Sequence, residues 1–566
     1  MKTLFIFILI LISPLFIYSQ SIDELMDMDL EDILNIEISS SSKIEQRAIE
    51  APSIISVITS DQISNYNWLS LNSILYKQPG FGPAQDYDRR TVSSRGLFEG
   101  WNNNHLLFLV DGIPFNDNLY GTAYTWDSTP LIFAKTIEIL RGPGSALYGS
   151  NATNGVIQIK TFSPSDLSGT GRVKMSIGNN GGRNYQFITG NRVGYLGFIT
   201  AFSHFQTDGN EYDSYDGSGE MTVDGQLNKY ETRDERTSDY FWSKIEGYDH
   251  YKGLELQYHF QQWTYQTGHG WLWFIPDFDE AMRENRHILS IKYSPKLMEN
   301  LSSEFLIRYQ RHNIDWNTRY YRNHSFADFY PAGMWEYLKT KGEDVFSRFQ
   351  FTYQFENEIS FLTGLETDFF FYNNDDEHYS NVDVDVSWGP FDEANAPYPL
   401  GPWFDILGDN MVKNMGFYAQ FISGNLLGER LKATLGGRYD GQFFHYRTDL
   451  ITKKEKSKDF TRFSPRAALV YMVNKDFSLK AMFGQAFRAP APTEMFGSHT
   501  FSLGSNIEEL EPEIITTGEF AFDWIINKNF NFRANIFHTK FENQIAYSTQ
   551  NNNLSTNIYT STNQGL

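Results

Sequence analysis

The strongest constraint on this chain of 566 residues is a period of two that fills its last four hundred positions. Leu431, Ala433, Leu435, Tyr439 and Phe443 alternate with Lys432, Thr434, Arg438, Asp440 and Gln442. Phe349, Phe351, Tyr353 and Phe355 alternate with Arg348, Gln350, Thr352 and Gln354, and Phe520, Phe522 and Trp524 with Glu519 and Asp523. Successive side chains of a strand point to opposite faces, so each run carries one greasy and one charged face. A half-buried soluble sheet alternates in the same way. The connections separate the two cases. Short ones fall at 191–195, 249–253, 356–358, 425–429 and 527–529, and long ones at 208–239, 267–284, 315–344, 374–413 and 490–513. Short and long take turns, as they do in an up-and-down antiparallel barrel with tight turns at one end and long loops at the other. A soluble sandwich would scatter its long loops over both ends.

Composition supports a lipid-facing wall. Aromatic residues make up 16 % of the chain, the supply that interfacial girdles need. Beyond the N-terminus no apolar run approaches the roughly 20 residues of a membrane helix, so a membrane form has to be a closed barrel. The net charge of -22 disfavours nucleic acid as a partner, since phosphate binding needs a basic face. With no cysteine there is no disulfide, thiolate metal site or thiol nucleophile.

Residues 1–19 pair Lys2 with an apolar run and end at Ser19, the pattern of a secretory signal cleaved there. The acidic stretch 21–34 follows, with Met26, Leu30, Ile33 and Leu34 at helical spacing, and then a short alternation through Ile36, Glu37 and Ile38 into Ser39 and Ser40. From about residue 51 the pattern is α/β: a strand at 53–58, a helix cap at 60–61, a short helix at 70–76 and a buried strand at 105–110 closed by the turn pair Asp111-Gly112. The stretch TIEILRGPGSALYGSNATNGVIQIKT at 136–161 sets two β-branched runs around a segment too rich in Gly, Ser and Asn for a helix. Read by itself it is a glycine-rich β-arch. No Gly-Lys-Ser/Thr follows, so it is not a phosphate loop.

Three pieces in one order are more specific. Ser94-Arg95-Gly96, the run from Leu107 to Pro114 containing Asp111-Gly112, and the 136–161 stretch with Arg141, Gly142, Gly149 and Gly155 together resemble the plug of TonB-dependent outer-membrane receptors. Gly436-Gly437-Arg438-Tyr439-Asp440, Ser464-Pro465-Arg466, Phe487-Arg488-Ala489-Pro490 and Leu510-Glu511-Pro512-Glu513 resemble the barrels of the same receptors.

The resemblance implies a membrane all-β fold, an antiparallel transmembrane β-barrel holding an N-terminal α/β plug in its lumen. The domains expected are a signal peptide at 1–19, a periplasmic leader at 20–50, the plug at 51–161, a linker at 162–170 and the barrel at 171–566. About 16 strands are countable where the family closes at around 22, so the barrel is expected to be incomplete, short by about 6 strands. The function implied is active import of a large, scarce nutrient, foremost a ferric siderophore, with cobalamin or another nutrient as the alternative and a passive porin as the reading from a different class. The partners implied are the inner-membrane TonB energy-coupling complex, a small-molecule ligand such as a metal chelate, and outer-membrane lipid.

The captured segment (TonB box) is placed at Ile36, Glu37, Ile38, Ser39 and Ser40, where strand addition needs alternation and freedom. By family position, ligand contacts fall on Gln85, Asp86 and Tyr87 and on Asn116, Asn118, Tyr120 and Tyr124, with lids from outer-loop aromatics including Trp271 and Trp273. Phe274, Trp316, Tyr320, Tyr321, Trp388 and Trp403 extend the set. Mixed aromatic and polar surface suits an amphipathic chelate or a sugar. His269, His324, His378 and His499 are expected in outer loops as solvated residues rather than metal ligands. No cofactor, resident metal or catalytic group is expected. Arg95, Asp111, Glu138 and Arg141 are expected to be ionic contacts between plug and wall.

Overall fold

The structure, a computed structural model, describes residues 37–86, 89–97, 102–167, 169–215, 225–227, 229–266, 281–321, 334–380, 406–408, 410–428, 430–447, 454–496, 503–504, 506–527, 530–550 and 558–564. The stretches expected to be a signal, 1–19, and a helical leader, 21–34, lie outside these residues.

The chain begins with a two-residue ladder between β1 (Glu37–Ile38) and β2 (Gln46–Arg47). Then come β3 (Ile54–Thr59), α1 (Ser60–Asn65), α2 (Leu71–Leu75), the hairpin β4 (Phe81–Asp86) and β5 (Arg89–Ser94), β6 (Leu106–Val110), β7 (Ile113–Pro114), β8 (Ala134–Arg141), α3 (Ser145–Tyr148) and β9 (Gly155–Thr161). The helix after β3 starts where Thr59 and Gln62 cap each other reciprocally, one residue earlier than the cap expected at 60–61. A five-stranded sheet in the order β3-β8-β9-β6-β7 forms the centre of this unit, with β6 and β9 parallel. β6 is buried along its whole length, which accounts for its unbroken apolar run.

After α4 (Pro164–Leu167) the wall begins. Its strands are β10 (Gly171–Ile177), β11 (Arg183–Val193), β12 (Leu196–Thr207), β15 (Arg236–Gly247), β16 (Leu254–Tyr265), β17 (Ala281–Tyr293), the short β18 (Lys296–Met298), β19 (Leu301–Tyr321), β20 (Met334–Gln354) and β21 (Ser360–Ser380). They continue as β22 (Val412–Ile422), β23 (Leu431–Arg447), β24 (Glu455–Asn474), β25 (Phe477–Arg488), β27 (Glu513–Asn527) and β28 (Phe530–Glu542). All belong to one 16-stranded antiparallel sheet in which sequence neighbours pair. Its end strands, β10 and β28, are not hydrogen-bonded to each other among the described residues. Three smaller pieces stand apart from the sheet: the hairpin β13 (Glu211–Tyr215) and β14 (Lys229–Arg233), the helix α5 (Pro492–Phe496), and a three-stranded patch of β26 (Leu503–Gly504), β29 (Gln544–Gln550) and β30 (Ile558–Gln564).

Burial along the wall strands is the reverse of a soluble sheet. On β23 it is Leu435, Tyr439 and Phe443 that are exposed, at 59 %, 54 % and 40 %, while Arg438 between them is 5 % exposed. On β22 Phe417 is exposed and Tyr418 and Gln420 are buried. A greasy outside and a charged inside are stable only where the outside is hydrocarbon. The interior face meets the plug all the way round. Strands from β15 to β28 hydrogen-bond to residues 37–161, so the plug sits within the curl of the wall.

Several outer connections are shorter than alternation alone implies. The stretch 315–344 is not one loop, because β19 and β20 pair as far as Tyr321 and Met334. Likewise β21 continues to Ser380, which places His378 on a strand. Strands of 21 residues span about 70 Å, far beyond a bilayer's needs. Above the lipid such ladders keep their backbone pairing but lose the greasy face, so their Asn, Asp and Arg read as loop. Two outward connections are also brief, 178–182 and 448–454, so the alternation is not strict.

Candidate functional site

The plug is held to the wall both by apolar packing and by hydrogen bonds and ion pairs. Phe108, Phe115 and Phe133 of the plug share an apolar core with Tyr240, Trp242, Ile288 and Leu306 of β15, β17 and β19. Phe133 stacks on Tyr240 at 5.4 Å between centroids, a separation suited to aromatic pairs. Toward β19–β25 apolar packing continues, as where Leu147 meets Leu362 and Tyr418, and hydrogen bonds and ion pairs are added to it.

Of the four plug charges, two reach the wall. Arg95 pairs with Glu519 at 2.7 Å. Asp111 accepts from Thr161 N at 2.8 Å, Thr161 Oγ1 at 2.7 Å and Gln257 Nε2 at 2.7 Å, with Lys244 Nζ at 3.6 Å. Burial works to raise the Asp111 carboxyl, but Lys244, Lys292 and the Thr161 donors outweigh it and hold the group down at about 2. The other two charges correct the expectation of wall contacts, since both are spent inside the N-terminal unit. Arg141 donates to Pro79 O, Ser56 Oγ and Gln78 Oε1. Glu138 pairs with Lys160 at 2.8 Å and accepts from the backbone N–H of Ser39 and Ser40 at 3.2 and 2.9 Å. Their strand, β8, lies inside the plug sheet, where Glu138 meets the leader and Arg141 meets neighbouring plug residues rather than the wall.

The glycines of the signature make room. At Gly142, φ is +91° and an added Cβ would meet Glu519 Oε1 at 2.8 Å. At Gly149, φ is +76° and the same atom would fall 3.0 Å from the Arg438 guanidinium. Gly96 and Gly112 close turns after Arg95 and Asp111, and Gly155 opens β9 against β8.

In the segment placed at 36–40, Ile36 lies outside the described residues. Glu37 and Ile38 form β1, Ile38 and Ser40 are fully buried, and the Ser40 carbonyl accepts from Tyr148 Oη at 2.9 Å. The residues just beyond are tied to the wall. Arg466 donates to Ser41 O at 2.9 Å, Gln420 to Ser42 O at 3.0 Å, and Lys43 pairs with Glu366 at 3.1 Å under the Tyr418 ring. Burial, with Arg348 nearby, brings the Lys43 ammonium down to about 7 against the pull of Glu366. In this conformation the segment is docked, not free.

Near the wall's outer half, Asn116 braces its loop through Phe108 N, Leu106 O and Gly121 O. Asn118 donates to Asp344 Oδ1 at 2.8 Å. Tyr120 and Tyr124 are fully buried: Tyr120 stacks on Trp316, and Tyr124 donates to Glu284. Trp316 is therefore an inward residue of β19, which corrects its expected place in a loop, and Tyr320 and Tyr321 belong to the same strand. Gln85 and Asp86 end β4, paired with Arg90 and Arg89. Tyr87, Trp271, Trp273, Phe274, Trp388, Trp403, His269, His324 and His499 lie outside the described residues.

Two residues not singled out from the sequence organise this region. Asp117 accepts from the N–H groups of Leu119, Tyr120 and Thr122, which shapes the loop. Glu366 gathers Lys43, Arg348 and Arg438. Both had a signal of a kind: Asp117 sits between two asparagines in a loop, and Glu366 falls on the charged phase of an alternating strand. Between plug and wall lies a cavity of about 190 Å³ whose lining includes Asn116, Asn118, Asp344, Glu366, Asp368 and Asp440.

The model of the family "TonB dependent receptor-like, beta-barrel" matches residues 239–566, more than half the chain, and that of the "TonB-dependent Receptor Plug Domain" matches 47–156. The chain belongs to the TonB-dependent receptors. It is an outer-membrane receptor barrel of the Gram-negative type with its plug in place. Over 152 residues the receptor is 30 % identical to the vitamin B12 transporter of Vibrio vulnificus, a match covering 27 % of this chain and 24 % of that protein's length. Solved structures share its fold. The pyoverdine receptor of Pseudomonas aeruginosa bound to pyoverdine superposes with a TM-score of 0.67 at 14 % identity, over 93 % of this chain and 75 % of that one. The FrpB iron transporter of Neisseria meningitidis gives 0.62 at 14 % identity, over 90 % and 74 %.

Proposed function

We propose that this receptor imports a large, scarce nutrient across the outer membrane, a ferric siderophore in the first place, with energy drawn from the inner-membrane TonB complex. The observation that carries the reading is the fastening of the plug. A lumen filled by a folded unit that is packed against the wall and hydrogen-bonded to it admits no free diffusion of a large solute, so work has to be done on the plug. A passive porin would need that space open. The family and fold are those of receptors for transport.

The segment at 36–40 is the handle for such work, since its described part is held by hydrogen bonds that can be exchanged for those of an added strand. Cobalamin is the second reading, favoured by the sequence match to a vitamin B12 transporter. Growth of a deletion strain on a panel of iron chelates and on cobalamin separates the two: loss of growth on one ferric chelate supports the first, loss on limiting cobalamin the second. Unchanged growth on every member, with steady conductance of the purified protein in planar bilayers, would favour a channel. Single cysteines at 36–40, in a chain with none of its own, should crosslink to the coupling protein. Absence of any crosslink in that window would remove the segment from consideration.

A further inference from the structure

On β21 the outward positions run apolar from Phe361 through Leu365 and Phe369 to Phe371. At about 3.4 Å per residue and a tilt near 40° that stretch is about 25 Å tall, the height of the apolar band of a membrane barrel. The ladders carry its upper edge round the wall. Phe371 pairs with Glu343, Glu343 with Arg311, Arg311 with His287 and His287 with Phe260. Two residues further along the strands the outward row is Gln262, Asn285, Asn313 and Lys341, and the next is Thr264, Arg283, Asp315 and Lys339. The chain enters the wall at Gly171, at the end that carries the short turns 194–195, 294–300 and 355–359, so these rows lie on the outer side. On the adjoining β15 the same two rows carry Asp239, hydrogen-bonded to His204, and Thr237. The cations are thus gathered on β17, β19 and β20. Lys341 pairs with Glu343 at 3.0 Å, and Tyr309 Oη donates to that carboxylate as well. Arg283, Arg311 and Lys339 are exposed and make no ion pair among the described residues, with Asp315 the one carboxylate between them.

We propose that this outward arc of β17, β19 and β20 holds the phosphate of an anionic membrane lipid whose acyl chains lie on the band beneath it. Arg311 is the centre of the site. Its Nε donates to Asn313 Oδ1 at 3.2 Å, and Asn313 in turn donates to Asn285 at 2.7 Å, which sets the guanidinium in place and leaves its two terminal nitrogens for a forked contact with phosphate oxygens. Arg283 and Lys339 stand one strand to either side and further out, on stems long enough to lean toward the same headgroup. Charge complementarity decides the sign of the occupant: three unpaired cations and one carboxylate form a basic spot on a chain whose net charge is -22. Position decides its kind. The spot begins on the row that ends the greasy band and faces sideways from the barrel, where the neighbour is lipid and a cation near the interface is worth most to an anionic headgroup. A second copy of this chain would bring a strongly acidic surface to the same spot, but it would have to displace lipid from the band to do so. The site is separate from the lumen, so it stands or falls independently of the uptake reading.

The test is native mass spectrometry of the purified full chain in dodecyl maltoside micelles, titrated with dioleoyl phosphatidic acid and, separately, with dioleoyl phosphatidylcholine. Saturable adducts of phosphatidic acid are expected, weakened at least fivefold by Arg311→Gln combined with Lys339→Gln and unchanged by Lys475→Gln at a turn on the opposite end of the wall. Arg283→Gln, on an exposed side chain well above the band, serves as a further variant if the double change impairs folding, with binding weakened at least twofold. The proposal is overturned if phosphatidylcholine binds as tightly, if the variants bind like the parent, or if no saturable adduct forms. It is overturned equally if inorganic phosphate at the same concentration displaces the lipid, which would mark a site for a free anion. Dimers of the parent chain that the same variants abolish would put a second copy on this face instead, and would also overturn it.

Discussion

Replacing Asp111 with asparagine should loosen the plug while leaving the wall intact. The side chain keeps its shape and one acceptor oxygen, so what is lost is charge. Lys244 keeps Glu246 at 2.7 Å and Lys292 keeps Glu255 at 3.0 Å, so neither ammonium is stranded. The cost should therefore fall below the 3–5 kcal/mol of breaking an isolated buried pair. A second route gives a similar figure. A carboxyl held at about 2, against an ordinary value of 3.8, corresponds to roughly 2–3 kcal/mol. At 1.4 kcal/mol per factor of ten this is a loss of roughly 50-fold or more in protection. The assay is hydrogen exchange of the purified receptor, comparing amides at 106–114 and 155–161 with those of β22–β24. Faster exchange confined to the plug is expected. If protection there changes less than twofold, or if the wall loses as much, the carboxylate does not fasten the two parts together.

The same group sets an acid limit. Its pKa is lower in the folded state, so its stabilisation is complete above about pH 4 and disappears as pH falls through 2. Exchange in the plug should rise over that interval in the parent and stay flat in the asparagine variant. Glu138→Ala removes the acceptor of the Ser39 and Ser40 amides and should mobilise the docked segment, at a cost of roughly 2 kcal/mol for buried bonds to a charged group. A spin label at position 40 would report it, and an immobile spectrum in the variant would contradict it. Gly149→Ala combines positive φ with a Cβ 3.0 Å from Arg438 and should cost about 1–3 kcal/mol, read as lower thermal stability of the heat-modifiable form. An unchanged melting point would show that the guanidinium yields freely.

Much of the architecture was legible in the residue order because both of its parts write short-range patterns. The wall alternates with period two along strands such as β22 and β23, and the plug signature marks its turns with glycines. Which phase of the alternation faces water or lipid is not local information. Leu435 and Arg438 would alternate alike in a soluble sandwich, and only the surrounding medium makes the greasy side the outer one. Strand length was similarly hidden, since β19 and β20 continue as a paired ladder through residues that resemble a loop.

The site was less legible still. That Arg95 would reach Glu519 while Glu138 turns to the leader depends on partners far apart in the chain, 424 and 98 positions away for the contacts that decide it. The amino-acid order alone determined the class of molecule, because hydrophobic period and turn chemistry act between near neighbours. Tertiary structure alone decided that Tyr120 and Trp316 are buried against each other, that Lys43 meets Glu366, and that Asp111 meets Gln257. Each of these is a meeting of side chains from distant segments, and such meetings exist only once the sheet has curled around the plug.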